Sequence, residues 1–280
     1  MRAPIARRLA ALAAVALTAA ALITGTATSA GSAPVWAPAA TATIHPGVQM
    51  FTDGAQCTAN YVFTSGEDVF IGYAAHCAGT GAATDTNGCD ADSLPLGTPV
   101  EIDGASQPGT LVYSSWLAMQ SGPRPADDLC NYNDFAVVQI AQADEGRVNP
   151  SIPHWGGPTG INTAGTAALE QVYSYGNSSL RFGITQLSPK TGVSLGSSPW
   201  THPIYTVSPG IPGDSGSAVL DSQGRAAGVL STLALAPLAG SNNASDVGRA
   251  LTYAQSHGMP GLTLALGTEA FNGSQLPLGI

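Results

Sequence analysis

Residues 212–217 read Pro-Gly-Asp-Ser-Gly-Ser and run straight into the apolar Ala218-Val219-Leu220. A serine hydroxyl is a weak nucleophile and needs a neighbouring base to take its proton. It also needs hydrogen-bond donors aimed at the oxyanion that forms when it attacks a carbonyl. A glycine two positions before Ser215 lets the backbone turn so that the amides of Gly213 and Ser215 converge on one point. A side chain at Gly213 would block that point and restrict φ.

Upstream, Ala74-Ala75-His76-Cys77 closes an apolar run, so His76 leaves a strand where a disulfide can fix the chain. Between the two motifs, Asn133-Asp134 leads into Phe135-Ala136-Val137-Val138. An aspartate accepting from the imidazole would hold its tautomer and stabilise the imidazolium. Short β runs at 58–63, 69–75, 111–113, 135–140, 171–175, 204–207, 217–220 and 227–232 are separated by turn clusters, which points to an all-β sandwich or barrel. One helix is expected after Asp246, with Val247, Leu251 and Ala254 on one face and Gly258 at its end.

Composition agrees. Of 280 residues, 34 are Gly and 20 Pro, which argues against long helices. Hydrophobic residues are 44%, enough for a core, and charged residues only 10%. With nine basic against eighteen acidic residues, no basic patch exists to neutralise phosphates, so nucleic acid is not a partner. Arg2, Arg7 and Arg8, the apolar run 9–23 and small Thr28-Ser29-Ala30 have the layout of a secretory signal peptide over residues 1–30. The fifteen-residue run is short of the roughly 20 needed to span hydrocarbon, so no stable membrane association is expected. Removing residues 1–30 leaves six basic residues against eighteen acidic ones. Residues 31–43 read as a flexible Ala/Pro-rich leader. Four cysteines in an exported chain suggest two disulfides, with three possible connectivities.

The Gly-Asp-Ser-Gly around Ser215, Ala-Ala-His-Cys around His76 and Asp-Phe-Ala-Val-Val from Asp134, in the order His–Asp–Ser, resemble the chymotrypsin-like serine proteases, above all their secreted bacterial branch. The resemblance spans roughly residues 45–260. It implies two six-stranded antiparallel β-barrels with a C-terminal helix: a first lobe over 44–150 carrying His76 and Asp134, and a second over 151–280 carrying Ser215. It implies a secreted, monomeric endopeptidase that hydrolyses peptide bonds of protein or peptide substrates through an acyl-enzyme, with no metal or organic cofactor. It also implies an oxyanion hole from Gly213 and Ser215, the disulfide Cys57–Cys77 and with it Cys89–Cys130, and a hydrogen bond from Ser231 to the catalytic aspartate. Asp214 would be buried beside a cation. The chain has no activation site that would free an Ile or Val amino terminus, so Arg181 is the expected partner, with Arg124 and Arg147 behind it.

Pro209, six residues before the nucleophile, would lie at the base of the primary specificity pocket, and Ser231, Thr232 and Leu233 would form a wall. With no acid at Pro209, uncharged, small to medium side chains are expected there. Three other readings carry less weight. Asp85, Asn87, Asp90 and Asp92 cluster oxygen ligands without an EF-hand's closing Glu. His45, His154, His202 and His257 lack zinc-ligand spacing. Ser215, Asp246 and His257 follow the α/β-hydrolase order, but Ser217 stands where that motif needs glycine. The non-enzymatic alternative is a secreted binding protein on a protease fold, its site closed by Leu233 or a misformed oxyanion loop.

Overall fold

The computed structural model describes residues 34–82, 85–234 and 238–277; the expected signal peptide, 1–30, lies outside them. The first lobe is built from β1 (Gln49–Thr52), β2 (Ala55–Thr58), β3 (Val62–Ser65), β4 (Asp68–Tyr73), β5 (Pro99–Ile102), β6 (Gly109–Ser114) and β7 (Ala136–Gln139). Asp53 and Gly54 both sit at positive φ, 47° and 83°, so β1 and β2 close in a tight hairpin of the hand that matches strand twist. Two short helices, α1 (Ser115–Gln120) and α2 (Asp127–Tyr132), occupy stretches without helical periodicity; α2 lies in a polar loop.

The sheet runs β3-β4-β7-β6-β5-β1-β2, all antiparallel. Strands β2 and β3 belong to one continuous stretch, 55–65, bent at Ala59-Asn60-Tyr61. Asn60 N donates to Gly72 O at 2.9 Å and Ala59 N to Val48 O at 3.0 Å, so the bend itself is tied to both neighbours. Six chain segments therefore wrap around the core of Phe63, Ile71, Tyr73, Leu111 and Phe135.

The second lobe is a closed six-stranded barrel, β10-β13-β12-β11-β8-β9. Its strands are β8 (Gln171–Tyr175), β9 (Pro189–Ser194), β10 (Thr201–Thr206), β11 (Ala218–Leu220), β12 (Ala226–Ala234) and β13 (Ser241–Asp246). The expected helix follows as α3 (Val247–Ser256), with Asp246 Oδ1 accepting from Arg249 N at 2.8 Å and Val247, Ala250, Leu251 and Ala254 buried. The chain then crosses back, and β14 (Thr263–Leu264) pairs with β3 of the first lobe. Within the leader, Ala37 N donates to Val148 O at 2.9 Å and Thr43 N to Arg147 O at 3.2 Å.

Tyr61 pins the lobes together. Its buried hydroxyl donates to Val219 O at 2.7 Å, lies 3.0 Å from Gly228 O, and accepts from Val219 N at 3.1 Å. Burial holds that phenol far above its ordinary pKa, so it stays a donor. Next to it, Thr58 N donates to Ser215 O at 2.8 Å. Gly216, at φ 89°, lets the turn approach so closely: a Cβ there would lie 2.5 Å from Thr58 O and 3.0 Å from Ala74 N. The bend of the first lobe thus sets the turn that carries Ser215 against the strand that leads to His76.

Candidate active site

His76 lies in a single 3-10 turn, Ala75–Ala78, immediately beyond β4. The small, fully buried Ala74, Ala75 and Ala78 let that turn pack tightly, and the Cys57–Cys77 disulfide ties it to β2. Asp134 precedes β7 and is 2% exposed. Its Oδ1 accepts from His76 N at 2.8 Å, which fixes the carboxylate plane. Its Oδ2 accepts from His76 Nδ1 at 2.6 Å and from Ser231 Oγ, on β12, at 2.5 Å. An ionised carboxylate only accepts, so Nδ1 carries the proton and Nε2 keeps a free lone pair.

Burial acts against charge on both partners, and their mutual attraction outweighs it. For His76, burial lowers the pKa, but the Asp134 charge and hydrogen bond raise it, and the net is upward. For Asp134, burial raises the pKa, and His76 with Ser231 bring it below the ordinary carboxylate range.

Ser215 and His76 line one cleft of about 650 Å3, with Gly213 beside them. The Ser215 hydroxyl makes no hydrogen bond to another described residue. The two amides expected to bind an oxyanion are fixed by their own peptide planes. Pro212 O accepts from Ser178 Oγ at 2.6 Å, so the Gly213 N–H across that planar trans peptide points the other way. Asp214 O accepts from Ser217 N at 3.1 Å and from Ser217 Oγ, which orients the Ser215 N–H likewise. Neither amide donates to a described protein acceptor. Gly213 sits at φ 95°, and a Cβ there would meet Gln56 Oε1 at 2.2 Å.

Beneath this loop Asp214 is fully buried. Its Oδ1 accepts from Ser178 N at 3.0 Å, and its Oδ2 accepts from Arg181 Nη2 at 2.7 Å. Arg181 stands where the sequence expected it, while Arg124 pairs with Asp90 and Arg147 reaches toward Asp144. Lys190 Nζ, 3.3 Å from the same Asp214 oxygen, is a second cation the sequence reading missed, as it missed Ser178.

Ser231, Thr232 and Leu233 line the cleft; Pro209 does not. Its carbonyl instead accepts from Arg181 Nη2 at 3.0 Å, outside the wall formed by Gly210, Ile211 and Pro212. Counting six residues back assumed a loop of standard length. Asn242, on β13 and 2% exposed, also lines the cleft. Its Oδ1 accepts from Gly210 N at 2.8 Å, and its Nδ2 donates to Gly210 O at 3.2 Å and Thr232 O at 3.4 Å. The carboxamide therefore straps one pocket wall to the other.

The disulfides are Cys57–Cys77 and Cys89–Cys130. Cys57, His76 and Cys77 bring ligand-type atoms together, but the sulfurs are bonded to each other and offer no thiolate. Asp246 and His257 stand apart from the site: Asp246 caps α3 and meets His202 Nε2 at 3.2 Å, and His257 stacks on Tyr253. His202 Nδ1 lies 2.7 Å from Ser197 Oγ, a hydroxyl already tied to Thr166, so this second Ser–His–Asp chain braces the barrel.

No protein-family model and no curated protein matches the chain. Solved structures do. Thermobifida fusca Protease A superposes with a TM-score of 0.50 at 19% identity, covering 80% of this chain and 99% of that one. A glutamic-acid-specific serine protease described as using a histidine triad in substrate binding superposes with a TM-score of 0.50 at 17% identity, covering 79% and 100%. The chain has the chymotrypsin-like fold.

Proposed function

We propose that this chain is a secreted serine endopeptidase in which Ser215 is the nucleophile, His76 the general base and acid, and Asp134 the group that orients and charges His76. One observation carries the reading: a buried carboxylate holds His76 with its free Nε2 in the same cleft as Ser215 and two amides without acceptors. Substrate binding brings the Ser215 hydroxyl to Nε2, which takes its proton as Oγ attacks the scissile carbonyl. The developing oxyanion accepts from Gly213 N and Ser215 N. The imidazolium, favoured by Asp134, then protonates the leaving amine. Water, activated by the same imidazole, hydrolyses the acyl-enzyme and restores Ser215.

The residue on the acyl side of the scissile bond enters between Gly210–Pro212 and Ser231–Leu233. No charged side chain lines those walls, and Asn242 has its amide committed to them, so small uncharged side chains fit best. A histidine-read glutamate preference finds no support, because His76 is the one histidine among the lining residues. Export rests on the signal-peptide layout and the two disulfides. Among the described residues no helix is long and apolar enough to cross a membrane.

A fluorophosphonate probe tests the proposal. Stoichiometric labelling of folded protein, lost in Ser215→Ala and His76→Ala, is the expected result. Folded protein that takes no label is instead a binding module, and the enzyme reading is then wrong.

A further inference from the structure

The oxyanion loop stands on a buried carboxylate with two cations rather than one. Asp214 Oδ2 accepts from Arg181 Nη2 at 2.7 Å and from Ile211 N at 3.1 Å, and Lys190 Nζ lies 3.3 Å from it. The Lys190 side chain is 1% exposed, and its other acceptor among the described residues is Leu187 O at 3.3 Å. Gly176 makes the approach possible, since a Cβ there would meet Asp214 Oδ1 at 2.4 Å and Lys190 Cε at 2.8 Å. Arg181 alone would neutralise Asp214. A second cation in the same buried space is disfavoured by desolvation and by Arg181, so a fold tolerates it only with a strong local partner.

The position of this surplus charge is informative. Asp214 lies in sequence between the two amides of the oxyanion hole, and its Oδ2 also fixes Ile211 N at the loop's start. Pulling that oxygen from two sides holds the Ile211–Ser215 turn in the state in which Gly213 N–H and Ser215 N–H face the cleft. The net positive charge of the Arg181–Asp214–Lys190 cluster also sits behind those donors, on the side that favours a negative oxygen in front of them.

We propose that Lys190 is a positioning residue for the oxyanion loop, and that its ammonium is the group whose loss of a proton lowers activity to a reduced plateau at alkaline pH. The inference rests on the serine-protease reading above. The charged groups facing Lys190 are Asp214 and Arg181; Tyr175, on the adjacent β8, is a phenol kept neutral by burial. Burial pushes the Lys190 ammonium down, Asp214 opposes this and Arg181 adds to it, and the net lies below the ordinary lysine range. Loss of that proton leaves Asp214 with Arg181 alone and relaxes one side of the turn.

The test is the pH dependence of p-nitrophenyl ester hydrolysis, expressed per site labelled by a fluorophosphonate. Wild type is expected to lose kcat at alkaline pH. Lys190→Met keeps a balanced Arg181–Asp214 pair. It should fold, lose about tenfold in kcat with little change in KM, and show no alkaline limb. Lys190→Arg should restore kcat and move the limb to higher pH. Wild-type kcat per labelled site in Lys190→Met overturns the proposal, and so does an unchanged alkaline limb in Lys190→Arg, which decides the matter if the methionine variant does not fold. Folded wild type that takes no label overturns the protease reading and this inference together; labelled wild type with insensitive Lys190 variants overturns this inference alone.

Discussion

Asp134 and Asp214 are both buried carboxylates, 2% and 0% exposed, one just before β7 and the other just before β11, and their surroundings differ in kind. Asp134 faces an imidazole, a group whose charge changes during the proposed reaction and with pH. Asp214 faces Arg181 at 2.7 Å and Lys190 at 3.3 Å, two cationic side chains held against one oxygen. The first is built to respond to a proton and the second to hold a loop still. The same chemistry, a desolvated carboxylate satisfied on every side, therefore serves motion of charge in one lobe and fixity of backbone in the other.

Removing the response should cost most. Asp134→Asn keeps the shape but frees the His76 tautomer, and kcat/KM should fall by about 10^4. The residual activity also carries a signature. In the wild type, Asp134 raises the His76 pKa against burial, so activity should rise with pH through a value above the ordinary histidine one. In the variant burial remains without its counter-charge, and that acid limb should move to lower pH. An unmoved limb would mean that Asp134 does not set the charge of His76. The stability linkage runs in two directions. His76, with a raised pKa, contributes stability below its unfolded pKa that is lost as pH rises through the folded one. Asp134, with a lowered pKa, contributes stability above its unfolded pKa that is lost as pH falls through the folded one.

Removing the fixity should show in the fold first. Arg181→Met leaves Asp214 with Lys190 alone. Loss of one partner from a buried pair costs about 3–5 kcal/mol when nothing remains, so a loss of about 2 kcal/mol is expected here, read from the denaturation midpoint. Activity should fall with it, because the Asp214 carboxylate within the oxyanion loop loses its shortest hydrogen bond. A midpoint within experimental error of wild type would place the support for Asp214 elsewhere.

The contrast also explains which parts of the molecule were legible in the sequence. His76, Asp134 and Ser215 sit in local motifs where small or apolar neighbours announce a strand end or a turn. The helix at 247–256 showed its cap and its buried face. Lys190 showed nothing: in Pro189-Lys190-Thr191-Gly192 it reads as a solvated lysine, and only the approach of Asp214, allowed by Gly176, makes its burial intelligible. Ser178 is one serine among several, defined by the Pro212 carbonyl it meets. The strand Ser241–Asp246 escaped notice because it is almost wholly polar. Its residues Asn242 and Asp246 are spent on pocket walls and on a helix cap, partners remote or just beyond, so no period-2 hydrophobic pattern marks it.

Asn242 offers the smallest and most selective break. Its three hydrogen bonds hold Gly210 against Thr232 across the cleft, which Asn242 itself lines. In Asn242→Ala the walls lose their strap and gain volume, while Asp134, His76, Ser215 and the loop on Asp214 keep every contact. The catalytic groups being untouched, kcat/KM for a peptide with Ala at the scissile position should stay within a few-fold of wild type. Peptides with Leu or Phe there should improve about tenfold relative to Ala, the scale at which one pocket contact discriminates. The buried Gly210 groups, left without Asn242, should lower stability by about 1–2 kcal/mol. Equal losses on all three peptides would assign Asn242 to the support of the catalytic loop instead, and would join the specificity wall to the fixed half of the site.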